Sequence, residues 1–358
     1  NQALNAPDTE GSNLAIGSNA LNGSIAGGEY NVAIGNSSLA ALTSADFNVA
    51  VGYDSGGAVT TGAGNTFIGF EAATSRTEGN DSVFLGYRAG HGCTTGNDIV
   101  FIGKNAGDGH DTEGNNLGIG TNALGGPIAG GEFNVGVGNQ TLDALTSADN
   151  NVAIGYQAGT ALTTGGSNTF IGYTAGDVAT TTNNVIAIGS NAFGGGANEG
   201  CNYNIAIGNE SMSTAAMDHS GGGVTGLYNT SIGHFTATDI TSGAFNVVVG
   251  YETGQNITTG SQNTFLGRVA GGANTTGNVN IAIGDAAYDG ADTESNNLAV
   301  GVNALGGPVA GGEFNVAVGN GTLDALTSGD DNVAIGYNAG SANTSGGQNI
   351  YIGRDAGL

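Results

Sequence analysis

The stretch "NVAIGYQAG", residues 151–159, decides the fold because the chain repeats it many times. It returns as "NVAIGYNAG" at 332–340, and looser copies such as "NTFIGYTAG" at 168–176 occur between them. The glycine that follows the short aliphatic run, here called the register glycine, occurs twenty times from Gly17 to Gly353. Seventeen of its nineteen intervals are 17 residues long, as from Gly52 to Gly69, or 18 residues long, as from Gly17 to Gly35. This regularity indicates a repeat architecture rather than a set of globular domains.

Each repeat contains one short strand. The residue before the register glycine is always Ile, Val or Leu, and the residue three places before it is Val, Ile, Leu or Thr. These two positions share one face of an extended strand, which β-branched residues favour. The other dozen residues are rich in Gly, Thr, Ser, Asn and Asp, which form turns. The sequence therefore predicts an all-β fold, a single continuous parallel β-solenoid over 1–358 with about 20 coils of about 17 residues, roughly 95 Å long.

The composition excludes several classes of protein. The chain has 70 glycines, no tryptophan and a formal net charge of −25 from 30 acidic and five basic residues. That charge repels nucleic acids and anionic lipid surfaces. No apolar run reaches the roughly 18 residues that a membrane span needs. We therefore expect neither nucleic-acid binding nor membrane insertion of this segment.

Two further positions support stacking of the coils. Asparagine stands four residues before the register glycine in seventeen of twenty coils, and Ser82, Ile99 and Val185 replace it in the others. Side chains stacked about 4.8 Å apart can hydrogen-bond along the stack and satisfy turn backbone. The register glycine itself predicts either a positive φ or a position too crowded for a Cβ atom.

The middle residue of each strand, two before the register glycine, is small or aromatic in most coils and never charged. An exposed strand face normally carries charge, so this face is expected to be covered. Either a wide core includes these residues, or a partner chain covers them. The second interpretation predicts an oligomer face at the aromatic members, Phe67, Phe84, Phe101, Phe170, Phe265 and Tyr351.

The regularly spaced "NVAIG" and "NTFIGYxAG" motifs resemble the head repeats of YadA-type trimeric autotransporter adhesins and the repeats of phage tail-fibre and related surface-fibre proteins. The resemblance covers the chain from Asn13 to Gly353. It implies a left-handed parallel β-roll, three chains side by side, and a place in an extracellular fibre or adhesin.

A longer block begins at Asp8 and recurs closely from Asp111 and from Asp292. Acids recur in each block six or seven residues before successive register glycines, on coils about 5 Å apart. Like charges at that distance repel by roughly 1 kcal/mol in water, and Ca²⁺ would relieve the repulsion. The alternative is a solvated acidic ridge. The candidate calcium ligands are Glu10, Glu29, Asp46, Glu113, Glu132, Asp149, Glu294, Glu313 and Asp330.

Other distinctive residues are few. The longest interval, from Gly208 to Gly233, contains an insertion at 209–228 that predicts a binding loop bearing Met212, Met217 and His219, or a neutral insertion. Asp108, His110 and Asp111 resemble a small metal site, although the equivalent block has Ala291 in place of the histidine. Cys93 and Cys201 are six coils apart, too far for a disulfide within one chain. Free thiols or links between chains remain.

These observations favour a non-enzymatic structural and adhesive fibre segment at a cell or virion surface. We expect it to form a homo-oligomer, a trimer or an end-to-end filament, and to bind a cell-surface receptor or a glycan. Two alternatives remain. Some β-helices degrade polysaccharides, but the five basic residues are dispersed and no nucleophilic arrangement is recognisable. Flat threonine-rich solenoids bind ice, but the threonines here cluster in turns.

Overall fold

A computed structural model describes residues 11–24, 26–195, 200–214 and 226–358. It divides into two compact units, Asn1–Asp177 and Val178–Leu358. Each unit contains ten three-residue strands and, in its described part, no helix. The all-β parallel solenoid with its 17-residue period is therefore confirmed, whereas one continuous solenoid over 1–358 stays a prediction. No helix among the described residues is long and apolar enough to cross a membrane.

The strands of the first unit are Leu14–Ile16 (β1), Val32–Ile34 (β2), Val49–Val51 (β3), Thr66–Ile68 (β4), Val83–Leu85 (β5), Val100–Ile102 (β6), Leu117–Ile119 (β7), Val135–Val137 (β8), Val152–Ile154 (β9) and Thr169–Ile171 (β10). Those of the second unit are Ile186–Ile188 (β11), Ile205–Ile207 (β12), Thr230–Ile232 (β13), Val247–Val249 (β14), Thr264–Leu266 (β15), Ile281–Ile283 (β16), Leu298–Val300 (β17), Val316–Val318 (β18), Val333–Ile335 (β19) and Ile350–Ile352 (β20).

Within each unit, every strand pairs in parallel with the strand of the next coil, with equivalent positions aligned. Thr66 aligns with Val83 between β4 and β5, for example, and Val247 with Thr264 between β14 and β15. Backbone hydrogen bonds join the coils outside the strands as well, so the turns are also stacked. Each coil therefore depends on its neighbours rather than on a core of its own.

The register glycine is required for both of the expected reasons. Its φ lies between 134° and 145° in every coil except the last. A Cβ atom built on Gly69 would collide with the carbonyl oxygen of Gly86, the register glycine of the next coil. Any other residue would have to adopt a strained backbone and force two coils apart.

The asparagine ladder is confirmed. The backbone and side-chain nitrogens of Asn48 both donate to the Oδ1 atom of Asn31 one coil earlier, at 2.9 and 3.2 Å. The Asn48 amide also donates to the carbonyl oxygen of Gly62, 2.9 Å away. Both side chains are fully buried. Each asparagine therefore supplies hydrogen bonds to buried turn backbone groups that water cannot reach, in its own coil and in the next. An apolar side chain could not supply these hydrogen bonds.

The core is filled by paired positions of complementary size. When the middle strand residue is phenylalanine, the position four after the register glycine is small: Phe84 and Phe101 pack against Gly90 and Gly107. Where the middle residue is Ala or Gly, a large side chain such as Leu39 often stands at that second position. The interior thus keeps a similar volume with different residues.

Candidate functional site: an exposed apolar sheet face

The two flanking residues of each strand, which are Val, Ile, Leu or Thr, point away from the core. In eighteen of the twenty strands the middle residue is buried and both flanking residues are not. Ile154 and Leu266, for example, are 39% and 46% exposed. The residue directly after the register glycine and the residue five before it continue the same face. We call these the downstream row and the upstream row, and the four positions together the outer face.

Aromatic rings are concentrated in the two rows. In the upstream row, Tyr30 stacks on Phe47 with ring centroids 5.3 Å apart. In the downstream row, Phe70 stacks at 5.3 Å on both Tyr53 and Tyr87. The spacing follows from the coil repeat, because identical positions in successive coils lie about 5 Å apart. The stacked rings still contact solvent, and Phe47 is 62% exposed.

The outer face is apolar at its centre, since every flanking strand residue is Val, Ile, Leu or Thr. Charge occurs only in the rows at its edges. The upstream row holds three carboxylates, and the downstream row holds three of the five basic residues of the chain and one carboxylate, Asp285, which pairs with Arg268 at 2.8 Å. The outer face is therefore close to neutral in a chain with 30 acidic residues. The other charged members are Asp81, Asp98 and Asp331 upstream and Lys104 and Arg354 downstream.

The predicted oligomer face is wrong for its five phenylalanines. Phe67, Phe84, Phe101, Phe170 and Phe265 are completely buried inside their own chain, so none can contact a partner. Tyr351 is half-buried because it lies in β20, the last strand. The wide-core interpretation is therefore the correct one for this position. The pairing of a large middle residue with a small residue four after the register glycine was a signal for it in the sequence.

The predicted calcium ligands include two buried glutamates with protein partners. Both oxygens of Glu113 accept hydrogen bonds, from the backbone nitrogens of Asp111 and Thr112 at 3.2 and 3.1 Å and from Gly130 on the next coil at 2.7 Å. Burial alone would raise the pKa of Glu113, but these donors lower it below its usual value. Glu294 accepts the same set in the second unit, from Asp292, Thr293 and Gly311.

The other predicted ligands divide into two groups. Oδ1 of Asp46, Asp149 and Asp330 accepts the backbone N–H of the glutamate one coil earlier, at 2.7, 2.8 and 2.9 Å. The side chains of those glutamates, Glu29, Glu132 and Glu313, are partly exposed. Glu10 lies outside the described residues. Within the described residues no three acidic, histidine or cysteine side chains form a group suited to a metal ion, and calcium binding stays a prediction.

The insertion is described only in part. Met217 and His219 lie outside the described residues, so the predicted binding loop cannot be placed at them. Met212 is completely buried, at the core position four after the register glycine, opposite the small middle residue Ala206. Its assignment to a binding surface was wrong, because the long side chain fills the space that the alanine leaves.

A column of buried polar side chains was missed as a group. Arg76, Cys93 and His110 occupy the same position, seven after the register glycine, in the coils of β4, β5 and β6. Burial lowers the pKa of Arg76 to about 10 and that of His110 to about 4, and raises that of Cys93 to about 12. At neutral pH the arginine is charged, the histidine neutral and the thiol protonated. His110 packs edge-on against Phe101, which makes it a core residue rather than the predicted metal ligand.

The sequence leaves free thiols and interchain links open for the two cysteines. Both are buried, so the described structure exposes neither thiol for a link between chains. No known protein-family model matches the chain, and no curated protein sequence matches it. The function therefore has to be inferred from the fold and from the outer face.

Proposed function

We propose that the chain is a non-enzymatic structural and adhesive segment of an extracellular fibre, in which several copies lie side by side along their outer faces. The outer face carries the proposal. Ten coils that rise about 4.8 Å each and expose a strip about 20 Å wide give roughly 900 Å² per unit. One side of a standard interface buries about 800 Å², so the whole outer face of a unit, with its polar edge rows included, has the area of such an interface.

A second copy of the chain is the occupant that fits this surface best. A partner must match side chains repeated about every 4.8 Å over ten coils, and another copy has that same repeat. Charge also favours contact between copies through the outer face. Copies with a net charge of −25 repel each other over most of their surface, whereas the outer face is close to neutral. The resemblance to trimeric adhesins supports three chains and a left-handed course.

The remaining surface would carry the adhesive role. Side-by-side assembly leaves the acidic turns facing outward, repeated along every chain, and repetition multiplies a weak contact with a receptor or glycan. Block duplication from 8, 111 and 292 extends this surface without requiring a new pocket. Calcium held by the partly exposed glutamates would reduce the repulsion between these turns.

The mass in solution, measured by light scattering with and without a calcium chelator, tests the proposal. We expect three chains for the parent protein and dissociation for the variant Ile154→Glu with Ile335→Glu, which adds charge to the centre of the outer face in each unit. Thr61→Glu, on an exposed turn, adds charge elsewhere and should leave the mass unchanged. A parent protein that is monomeric under all conditions would overturn the proposed assembly. A mass that is independent of the chelator would remove calcium from it.

A further inference from the structure

The two rows of the outer face match each other when the upstream residue of one coil is compared with the downstream residue of the next coil. In the first unit, upstream Tyr30 corresponds in this way to downstream Tyr53, and Phe47 to Phe70. Of the seven aromatic residues in the downstream row, five correspond to an aromatic residue upstream. Tyr87 and Tyr173 are the exceptions, with Gly64 and Asn150 at the corresponding positions.

The second unit repeats the match with different residues. Tyr228 corresponds to Tyr251 and Phe314 to Tyr337, and all four are about half exposed. Aliphatic residues follow the same rule, since Val279 corresponds to Val302. The coils of β13 and β14 are not part of the duplicated block, so duplication alone does not account for the match.

Two of the three carboxylates of the upstream row correspond to a cation of the downstream row. Upstream Asp81 corresponds to downstream Lys104 one coil later, and Asp331 corresponds to Arg354. The third cation of the downstream row, Arg268, corresponds to the aromatic Phe245, whose face can accept a cation. No charged residue of either row corresponds to one of like sign. A like charge at any of these positions would oppose the contact instead.

Contacts within the chain do not explain the match. Among the described residues, the ring contacts of the rows run along a row, such as Tyr30 on Phe47 and Tyr53 on Phe70, and not from one row to the other. The strand lies between the rows and separates them by about 20 Å. Asp81 and Lys104 are exposed, and neither has an ion pair among the described residues.

We propose that neighbouring copies pack in parallel with the downstream row of one chain against the upstream row of the next, displaced by one coil. This inference rests on the proposed side-by-side assembly and specifies its register. The displacement brings aromatic rings onto aromatic rings and cations onto carboxylates or rings. Without displacement, Tyr337 would face Asp331 and Phe70 would face Gly64, and most of the matches would be lost.

The contact joins two different edges of the face, so it is heterologous and can close into a ring. A displacement of about 4.8 Å across a face about 20 Å wide corresponds to coils inclined by about 15° to the plane normal to the common axis. A closed oligomer is thus compatible with the displacement.

Disulfide cross-linking between differently tagged chains tests the register. The variants Asp81→Cys and Lys104→Cys are co-expressed, purified through both tags and oxidised. We expect a linked pair of chains on non-reducing gels in several-fold excess over the matched pair Asp98→Cys with Lys104→Cys, which probes zero displacement. The variants Asp331→Cys and Arg354→Cys repeat the test in the second unit. The parent protein, whose two cysteines are buried, measures the background.

Light scattering on the same samples separates the possible failures. If the chains are oligomeric but the Asp98→Cys and Lys104→Cys pair links better, the one-coil displacement is wrong and the assembly stands. Oligomers that link through neither pair overturn the contact between the rows. Monomeric parent chains overturn the proposed function itself. At low salt, either single variant, Asp81→Lys or Lys104→Asp, should lower the mass of the oligomer in solution. The double variant, which exchanges the two charges, should retain the mass of the parent protein.

Discussion

The coils of β4 to β6 and those of β14 to β16 are the fourth to sixth coils of their units, yet they fill their cores differently. The first set has Arg76, Cys93 and His110 where the second has Ile257, Asn274 and Ala291. Of these two sets, only the first interrupts the asparagine ladder, at Ser82 and Ile99, where the second keeps Asn263 and Asn280. Equivalent turns of the two units therefore contain different sets of side chains.

The hydrogen bonds show what both solutions have in common. In the second unit Asn263 donates to the carbonyl oxygen of Gly277, at 2.8 Å. In the first unit the equivalent carbonyl, that of Gly96, accepts from the guanidinium of Arg76 at 2.6 Å, and Ser82 retains only the acceptor function of the asparagine toward the next coil. At this turn the guanidinium of Arg76 therefore replaces the asparagine as the donor to the carbonyl oxygen of Gly96.

The largest effect is expected from removing that donor. Arg76→Ile introduces the residue of the second unit and leaves the carbonyl oxygens of Gly79 and Gly96 with fewer donors. We expect the free energy of unfolding to fall by about 3 kcal/mol, because each unsatisfied buried polar group costs roughly 1 to 3 kcal/mol. The loss is measured by urea unfolding followed by circular dichroism.

The second unit supplies the rescue. Adding Ser82→Asn to Arg76→Ile recreates the Ile257 and Asn263 pair, so most of the lost stability should return. Ser82→Asn alone should destabilise, because the amide and the guanidinium would compete for the space at Gly96. Equal stability of the single and double Arg76 variants would show that the arginine does not substitute for the ladder.

The sequence predicts the coils and the asparagine ladder, but it does not predict the place where the ladder is replaced. The spacing of the register glycines predicts the parallel coils, and the recurring asparagine predicts the ladder, because both depend on contacts between identical positions. The replacement by Arg76 is not predictable in the same way. Arginine is six residues before the broken position, and only the folded turn brings its guanidinium to the carbonyl of Gly96.

The outer face shows a second limit of prediction from the sequence. Both faces of each strand are uncharged, so the sequence pattern of the strand does not distinguish a face in the core from a face in an interface. For this reason the buried phenylalanines were assigned to an interface although they lie in the core. The deciding information is the size of a residue outside the strand, such as Gly90 beside Phe84. That pair can be recognised only when the turn is known to fold back over the strand.

A smaller effect is expected from His110, whose counterpart Ala291 cannot titrate. Burial lowers the pKa of His110 to about 4, below its ordinary value of about 6.5. The unfolded chain therefore binds a proton more readily, and stability falls as the pH drops through this interval. The loss should reach about 2 kcal/mol at pH 5 relative to pH 7.

The variant His110→Ala is the matched control for this titration. It should be less stable at pH 7, because it leaves a cavity beside Phe101, yet its stability should change less between pH 7 and pH 5 than that of the parent. Unfolding free energies at both pH values give the comparison. Parallel losses in the two proteins would assign the acid sensitivity to other groups.

The smallest effect is expected where the two units agree. Glu113 and Glu294 make the same contacts to backbone nitrogens of their own turn and of the next coil, through Gly130 and Gly311. Glu113→Gln and Glu294→Gln should each lower the free energy of unfolding by about 1 kcal/mol, because a charge-assisted acceptor becomes neutral and half of the amide can no longer accept. Equal losses would show that the carboxylate serves the turn independently of the core beneath it. A much larger loss for Glu113 would instead couple it to His110, since the second unit has the alanine Ala291 at that position.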